Sequence, residues 1–347
     1  MGAPPGPPLL DSLGMCGAAA ALPESLAASI EEAARLPLFA GPPPELVVLV
    51  GDGPAGIAAE MAAAILDSTA RAPVVRLPAG AVPAFVGPTA LVIVTSFAGD
   101  DPGGIAAAKT ALRQGARLIA VTPQGALARF AARRGAPSVA LPAAPRARGA
   151  LLAMLAALVA GLGRAGLVSE AGVLLDDARR QAARRRDSLV VAGGGSAAEL
   201  VRRIGRTFPL LVGGAGLGAA AARWWQSEIA VNARTPSVVL VAPGLLWDAI
   251  AAFGQGGDVT RQILTLVELR SDHEPPGAGA AFARVDELVG EVVADRLVVR
   301  AEGPTPLAQL VDLIVLGEFV SLRLADAAGI DPGPAPAVDD GAAGAGA

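Results

Sequence analysis

The sequence predicts an α/β protein made of two doubly wound parallel sheets, each flanked by helices in three layers. Short apolar runs alternate with longer helical patterns, as expected for parallel strands that are covered by helices on both faces. Gly-rich turns join strands to helices. One strand–turn–helix unit, "ELVVLVGDGPAGIAAE" from residue 45, also recurs about 160 residues later as "FPLLVGGAGLGAAAAR". The repeat indicates two similar halves.

The first half begins with a helix predicted over residues 22–36, and "GPPP" at 41–44 ends it. Helical periodicity and apolar runs then alternate along the chain. The predicted strands are 45–50, 73–77, 90–95, 117–121 and 137–141, and the predicted helices are 55–68, 103–114, 124–134 and 147–163.

The second half follows an Arg/Asp-rich helical segment over residues 165–190. Its predicted strands are 209–212, 237–241, 262–269 and 296–300, and its predicted helices are 196–204, 217–233, 281–290 and 305–328. The resulting division is an N-terminal tail and helix (1–40), a first domain (41–164), a helical linker (165–192), a second domain (193–330) and a disordered tail (331–347).

Composition excludes several classes of function. The net charge of −4 argues against nucleic acid as a partner. A single cysteine, Cys16, excludes an internal disulfide, and a single histidine, His273, excludes a His-clustered zinc site.

The apolar stretch 150–162 is shorter than the roughly 20 residues that span a bilayer, and no signal-peptide pattern is present. We expect a cytoplasmic protein without a membrane partner, and we interpret His273 as a loop residue rather than a catalytic one.

An Arg-rich run is the strongest local charge feature. Its basic residues are interleaved with acids, which favours a solvated helix between domains over an anion-binding patch. The run contains Arg179, Arg180, Arg184, Arg185 and Arg186 beside Asp176, Asp177 and Asp187.

The turn after the first strand has the spacing G-x-G-x-x-G at Gly51, Gly53 and Gly56. Such a turn can hold an anion on backbone N–H groups, or it can simply let strand and helix pack closely. A dinucleotide site also needs an acid at the end of the next strand, but that strand ends at Arg76 and Leu77. A sugar phosphate or a purely structural turn therefore stays open.

Four stretches resemble the bifunctional phosphoglucose/phosphomannose isomerase family, whose chains contain two sugar isomerase (SIS) domains. They are "VPAFVGPTALVI" at 82–93, "PRARGALLAML" from Pro145, "RWWQSEIAVNARTPS" from Arg223 and "TPLAQLVDLIVLGEFVSLRLADAAGIDPGPA" from Thr305. The resemblance covers roughly residues 15–338 and implies two SIS domains, a homodimer and phosphosugar chemistry.

The resemblance also implies where a substrate phosphate would bind, and the sequence departs from the family there. Hydroxyl residues of the family are replaced by Ala55 and Ala98, while Ser96 is kept, and Asp100 and Asp101 introduce negative charge. The implied substrate-binding positions are Gly51, Gly53, Ala55, Ser96, Ala98, Gly99 and Asp101.

Catalytic positions are largely lost as well. The family's base falls on Val231, its ring-opening histidine falls on Trp247, and its C-terminal lysine has no counterpart. Arg146 keeps the position that the family uses beside the enediolate, although a structural role is equally open. Glu228 could act as a displaced base, but a surface or dimer-contact glutamate is the simpler interpretation.

We therefore expect a degenerate family member that binds a carbohydrate derivative or regulates, with an active aldose–ketose isomerase as the alternative. The expected partners are a possible sugar phosphate and a second copy of the chain, with no cofactor and no metal. A third hypothesis is a divalent cation on Asp52, Asp100 and Asp101, although solvated loop acids are the simpler interpretation.

Overall fold

Two parallel sheets pack against a shared layer of helices. The computed structural model describes residues 10–39, 41–66, 71–80, 82–191, 193–244, 246–251, 253 and 257–335. One continuous apolar cluster includes residues from the inward faces of both sheets and from the helices between them. Two smaller clusters cover the outer faces of the sheets.

The first sheet has five parallel strands. They are β1 (Leu46–Val50), β2 (Val74–Leu77), β3 (Ala90–Thr95), β4 (Arg117–Val121) and β5 (Ser138–Val139), in the spatial order β2-β1-β3-β4-β5. This order is that of a doubly wound sheet, with β1 and β3 at the point where the chain reverses direction. Val50 is in register with both Leu77 and Val94, so the turns that leave these strands lie at the same edge. Helices α4 (Pro102–Arg113) and α5 (Ala126–Arg133) contribute to the outer cluster.

The second sheet has four parallel strands and repeats this arrangement. They are β6 (Phe208–Gly214), β7 (Val238–Ala242), β8 (Leu264–Arg270) and β9 (Asp295–Arg300), in the order β7-β6-β8-β9. Helix α12 (Ala278–Val289) covers the outer face together with part of α10 (Leu246–Ala251), while α11 (Gly257–Ile263) leads into β8.

The remaining helices form or border the shared layer. They are α1 (Met15–Ala20), α2 (Leu22–Ala33), α3 (Pro54–Leu66), a 3-10 turn (Ala147–Ala150) continued by α6 (Leu151–Arg164), α7 (Ala171–Leu189), α8 (Gly195–Ile204), α9 (Leu217–Ala233) and α13 (Pro306–Ala328). Helix α13 packs along both α7 and α9, and α6 packs against α2 and α3. The fold class predicted from the sequence is therefore confirmed.

Paired glycines explain the two repeated turns. A Cβ on Gly56 would lie 2.9 Å from the carbonyl oxygen of Gly51, and a Cβ on Gly213 would lie 2.2 Å from the backbone of Gly218. In both halves the glycines therefore allow the helix to approach the end of its strand closely. This requirement is met without any ligand.

The Arg-rich run differs from the solvated helix that the sequence predicts. Arg185 is only 8 % exposed, and its Nε and Nη2 donate to the two carboxylate oxygens of Asp312 at 2.7 Å each. Gln181 donates to the same carboxylate at 2.8 Å. Every fourth residue of α7 faces α13, so this one arginine is turned into the core, whereas Arg179 and Arg180 pair with acids at the surface.

Three short helices, α1, α10 and α11, lie outside the elements predicted from the sequence. Six-residue segments such as "MCGAAA" and "LWDAIA" are too short to show a helical period. They form helices because neighbouring elements hold them in place.

One helical window, Ala147–Arg164, is long and apolar enough to cross a membrane by length and composition alone, and 78 % of that window is buried inside the protein. Its residues contact α2, α3 and α7, which accounts for its apolar character.

The C-terminal tail expected from residue 331 begins with five described residues that contact the rest of the chain. Asp331 accepts hydrogen bonds from the backbone N–H groups of Ser12 and Gly333, and the carbonyl oxygen of Pro332 accepts one from Arg148. Residues 336–347 lie outside the described part of the chain.

Replacing Gly317 by alanine tests how tightly α13 packs on α9. The new Cβ would lie 2.2 Å from Nε1 of Trp225, whose indole N–H donates to the carbonyl oxygen of Leu313 at 2.8 Å. We expect Gly317→Ala to lower the free energy of unfolding by about 2 kcal/mol or more, because the ring cannot move without losing this bond. Urea unfolding monitored by circular dichroism measures the effect.

Gly279→Ala is the matched control, since Gly279 lies in α12 with open space at its Cβ position. This change should be neutral or stabilising by up to about 1 kcal/mol. Equal stability of the two variants would contradict the packing described here.

Candidate functional site

The first turn, between β1 and α3, borders a cavity of about 550 Å³ that extends over β2. Gly51 and Gly53 line this cavity, whereas Ala55 is buried and presents only a methyl group. The Asp52 carboxylate accepts a hydrogen bond from the backbone N–H of Ala79 at 3.2 Å. Asp52 thus anchors the loop that follows β2 by a hydrogen bond to its backbone.

Arg76 is the basic residue at this cavity, and it is already paired. Its guanidinium lies 3.0 Å from the Glu60 carboxylate, which also lies 3.2 Å from Arg223 of α9. These exposed ion pairs contribute little to stability individually. Glu60 therefore neutralises one of the two arginine charges near the first turn.

In the second turn, between β3 and α4, the side chain of Asp101 is hydrogen-bonded to other residues of the same turn. The Asp101 carboxylate accepts hydrogen bonds from the Ser96 hydroxyl and, at 2.6 Å, from the backbone N–H of Gly104. The Ser96 oxygen in turn accepts a bond from the N–H of Gly99 at 3.0 Å, and Ala98 offers only a methyl group. Asp101 is therefore the N-cap of α4, at the position where a bound phosphate would meet the same donors.

The neighbouring acid has a separate structural role. Asp100 accepts a hydrogen bond at 2.6 Å from the backbone N–H of Ala126, at the start of α5, and lies 3.8 Å from Arg129. Each of Asp52, Asp100 and Asp101 binds a different backbone amide. Among the described residues, no group of three or more His, Cys, Asp or Glu side chains could hold a metal ion. In this structure the three acids therefore make separate backbone contacts and do not converge on one point.

A buried polar cluster lies elsewhere, between α9, α13 and the 3-10 turn. Glu228 is 1 % exposed and Glu318 is 2 % exposed, so the interpretation of Glu228 as a surface residue is wrong. Arg148 Nε lies 3.8 Å from Glu228 Oε2, and Arg148 Nη2 donates to the carbonyl oxygen of Pro332 at 2.5 Å. Asn232 donates to Glu228 at 3.1 Å and to the Ser321 hydroxyl at 2.9 Å.

The two carboxyl groups of this cluster have raised pKa values. Burial raises the pKa of Glu228 to about 7, against the opposing effects of the Arg148 charge and the Asn232 hydrogen bond. Burial, and then the adjacent Glu228 carboxylate, raise the pKa of Glu318 well above its ordinary value. Glu228 Oε1 and Glu318 Oε2 are both buried without a hydrogen-bond partner. A proton held between the two carboxyl groups would give both oxygens a partner.

Among the side chains that the structure describes, the predicted residues Arg146 and Glu228 do not pair with each other. Arg146 is half-buried at the start of the 3-10 turn, and it is Arg148, two residues later, that reaches Glu228. Val231 is half-buried on α9, and His273 is exposed in the loop after β8, as its sequence context indicates. Trp247 belongs to α10, and its side chain lies outside the described part of the structure.

Sequence reasoning missed Arg148, Asn232, Glu318 and Ser321. One signal was present, because Glu318 is the single acid within the apolar run "LIVLGEFVSL" of α13. A lone acid in a helix that is apolar on all sides has to find a buried partner. The sequence does not show that this partner is Glu228, 90 positions earlier.

Comparison with known proteins identifies similar chains and folds. Residues 195–341 match the model of the bacterial phospho-glucose isomerase C-terminal SIS domain. A bifunctional phosphoglucose/phosphomannose isomerase from Caldicellulosiruptor bescii is 26 % identical over 303 residues, covering 84 % of this chain and 87 % of that protein.

Solved structures share the fold at low sequence identity. A glucosamine-6-phosphate deaminase from Thermotoga maritima aligns with a TM-score of 0.66 and 12 % identity, covering 93 % of this chain and 97 % of that chain. A glucose-6-phosphate isomerase-like protein from Thermus thermophilus aligns with a TM-score of 0.59 and 20 % identity, covering 93 % of this chain and 94 % of that chain.

Replacing Asp101 by alanine tests its role as the cap of α4. We expect Asp101→Ala to lower the free energy of unfolding by about 1–2 kcal/mol, because the Gly104 N–H and the Ser96 hydroxyl lose their acceptor. Asp101→Ser and Asp101→Asn should restore most of that stability, since both residues cap helices well. Chemical unfolding of the three variants measures this order, and an alanine variant as stable as the serine variant would contradict it.

The buried carboxyl pair should make stability depend on pH. Because the folded state raises the pKa of both groups above the ordinary value of 4.5, it retains protons that the unfolded chain has released. The free energy of unfolding should therefore fall as the pH rises from about 5 to about 7, by on the order of 1 kcal/mol per pH unit for each group.

Glu318→Gln removes one titrating group and keeps the shape of the side chain. The free energy of unfolding should therefore fall less steeply with rising pH in this variant. Glu45→Gln, at an exposed position, should leave the decline unchanged. Urea unfolding at pH 5, 6 and 7 gives the slopes, and identical slopes for wild type and Glu318→Gln would exclude the pair as their source.

Proposed function

We propose that the chain is a divergent member of the bifunctional phosphoglucose/phosphomannose isomerase family, to which it is similar along most of its length. In this proposal it is a catalytically inactive SIS protein that binds a carbohydrate derivative or has a regulatory role. The observation that carries this proposal is the position of Asp101. Its carboxylate accepts hydrogen bonds from the Ser96 hydroxyl and from the Gly104 backbone N–H at the start of α4. These are the donors that a substrate phosphate would use.

Electrostatics opposes a phosphate at this turn. Two unit negative charges 4 Å apart repel by about 4 kcal/mol at an effective dielectric constant of 20. The carboxylate would have to leave its hydrogen bonds before a phosphate could enter, and the cap of α4 would be lost with it. Ala55 and Ala98 supply no hydroxyl to compensate. A ligand at this edge of the sheet is better accommodated if it brings no anionic group to the second turn.

The groups for isomerisation are also missing from the positions that the family uses. Val231 cannot accept a proton. The only lysine of the chain, Lys109, is exposed on α4, and the only histidine, His273, is exposed in the loop after β8. Aldose–ketose isomerisation needs a base for the C1–C2 proton, an acid–base group for ring opening and a stabiliser of the enediolate. Arg146 is the one family position of this set that is kept.

The setting proposed for this function is cytoplasmic, with the chain acting as a homodimer and without a cofactor. The homodimer and the role in sugar metabolism come from the family resemblance. The cytoplasmic setting agrees with the composition of the chain, which has one cysteine and a net charge of −4.

A coupled isomerase assay tests the absence of catalysis. Purified protein is supplied with fructose 6-phosphate, and formation of glucose 6-phosphate or mannose 6-phosphate is followed by dehydrogenase coupling. We expect no turnover above the uncatalysed background. The Caldicellulosiruptor bescii isomerase, purified and assayed in the same way, is the positive control. Isomerisation at an ordinary enzymatic rate would overturn the proposal of an inactive protein.

The second candidate is an active isomerase in which Glu228 has taken over as the base. A pKa raised by burial to about 7 suits a general base, and the Arg148 side chain lies beside it. Access argues against this role, since Glu228 is 1 % exposed and no substrate can reach it in this conformation.

If the assay detects turnover, Glu228→Gln tests whether Glu228 or another group is the catalytic base. Loss of a catalytic base should lower kcat by about 100-fold or more. Glu45→Gln, which removes a carboxylate from the surface, should leave kcat unchanged. An unaltered rate in Glu228→Gln would show that the base is another group.

A further inference from the structure

A second cavity lies at the other end of the second sheet, near the amino ends of β6 and β7. Its volume is about 800 Å³, and we call it the arginine pocket after four of its lining residues, Arg202, Arg206, Arg234 and Arg323. The carboxyl ends of α8, α9 and α13 also border it. The Gly-rich turns follow the carboxyl ends of the strands, so the arginine pocket is separate from the site discussed above.

The charge in the arginine pocket is not balanced. Asp326 is the acid that lines it, and Asp331 is close enough to interact with Arg234, so four guanidinium groups face two carboxylates. Among the described residues, Arg202, Arg206 and Arg323 make no hydrogen bond or ion pair. Most other arginines of this acidic protein pair with a carboxylate or a carbonyl oxygen, which makes this group unusual.

These arginines do not cap the helices by hydrogen bonding. The last carbonyl groups of the three helices already accept hydrogen bonds from backbone amides and threonine hydroxyls, as in Gly205 N–H to Val201, Thr207 Oγ1 to Ile204, Thr235 Oγ1 to Ala233 and Gly329 N–H to Asp326. The guanidinium groups of Arg202, Arg206 and Arg323 therefore remain available to a ligand, whereas that of Arg234 donates to the carbonyl oxygen of Pro334.

The Arg323 side chain packs against the backbone of a glycine. A Cβ at Gly194 would come within 2.1 Å of the guanidinium Cζ, so the absence of a side chain there leaves room for the guanidinium. Arg323 Nε is buried without a hydrogen-bond acceptor. A fixed, partly desolvated guanidinium binds an anion with less loss of side-chain entropy than a mobile one.

We propose that the arginine pocket binds a small phosphorylated metabolite. Guanidinium groups match phosphate oxygens with paired, charge-assisted hydrogen bonds. The cavity volume lies in the range of small-molecule sites, and its concave shape suits a metabolite rather than a polymer. Phe208, which is 41 % exposed at the pocket, offers an apolar surface to the rest of the ligand. This site does not depend on whether the protein isomerises sugar phosphates.

Calorimetric titration with inorganic pyrophosphate tests the proposal. Sodium chloride keeps the ionic strength constant, because nonspecific attraction to arginines is screened by salt. We expect saturable binding with one site per chain for the wild type. The double variant Arg202→Gln/Arg206→Gln changes two exposed side chains and should raise the apparent Kd by tenfold or more.

Two further variants make the result specific. Arg71→Gln/Arg133→Gln removes the same charge from exposed positions away from the pocket and should leave the Kd within about twofold of wild type. Asp326→Asn removes the acid of the pocket and should tighten binding. Absence of saturable binding to the wild type, unchanged affinity in Arg202→Gln/Arg206→Gln, or equal losses in both double variants would overturn the proposal.

Discussion

The burial of α13 is the constraint on which much of the structure depends. This helix is 23 residues long and is covered on nearly every side by α7, α8, α9 and α1. A polar side chain on such a helix must find a partner inside the protein, because an unpaired buried polar group is destabilising by about 1–3 kcal/mol. Asp312 meets Arg185 and Gln181 of α7, and Glu318 meets the carboxyl group of Glu228 on α9. Two polar contacts thus fix how α13 is placed against its neighbours. In the second of them, Glu228 is committed to a structural environment and is withdrawn from solvent.

The second sheet and the shared helices are held together by side-chain packing. Packing of α9 on α13 depends on Trp225, Gly317 and the apolar residues around them, and none of these contacts involves a substrate. The Gly-rich turns are likewise maintained by the close approach of strand and helix. The glycines of these turns thus meet a packing requirement, and their presence does not by itself indicate a ligand.

Most of the fold could be predicted from the sequence, because the signals are local. Continuous apolar runs mark the strands, and the repeated glycine spacing marks the two turns. The candidate site could be predicted only in part. Ala55, Ala98 and Asp101 are visible in the sequence as departures from a phosphate-binding pattern, but the bonds from Asp101 to Ser96 and Gly104 depend on the shape of the turn. The Glu228–Glu318 contact joins two helices far apart in sequence, and the exposure of Glu228 could not be inferred from α9 alone.

The cap formed by Asp101 has a consequence for any anion in solution. A carboxylate tethered five residues from Ser96 competes for the same donors as an intramolecular ligand, at an effective concentration on the order of millimolar or higher. A free phosphate ester competes with this side chain at every encounter, and dilution affects only the free competitor. The Ser96 hydroxyl and the Gly104 N–H thus have an acceptor that remains at the turn at any dilution.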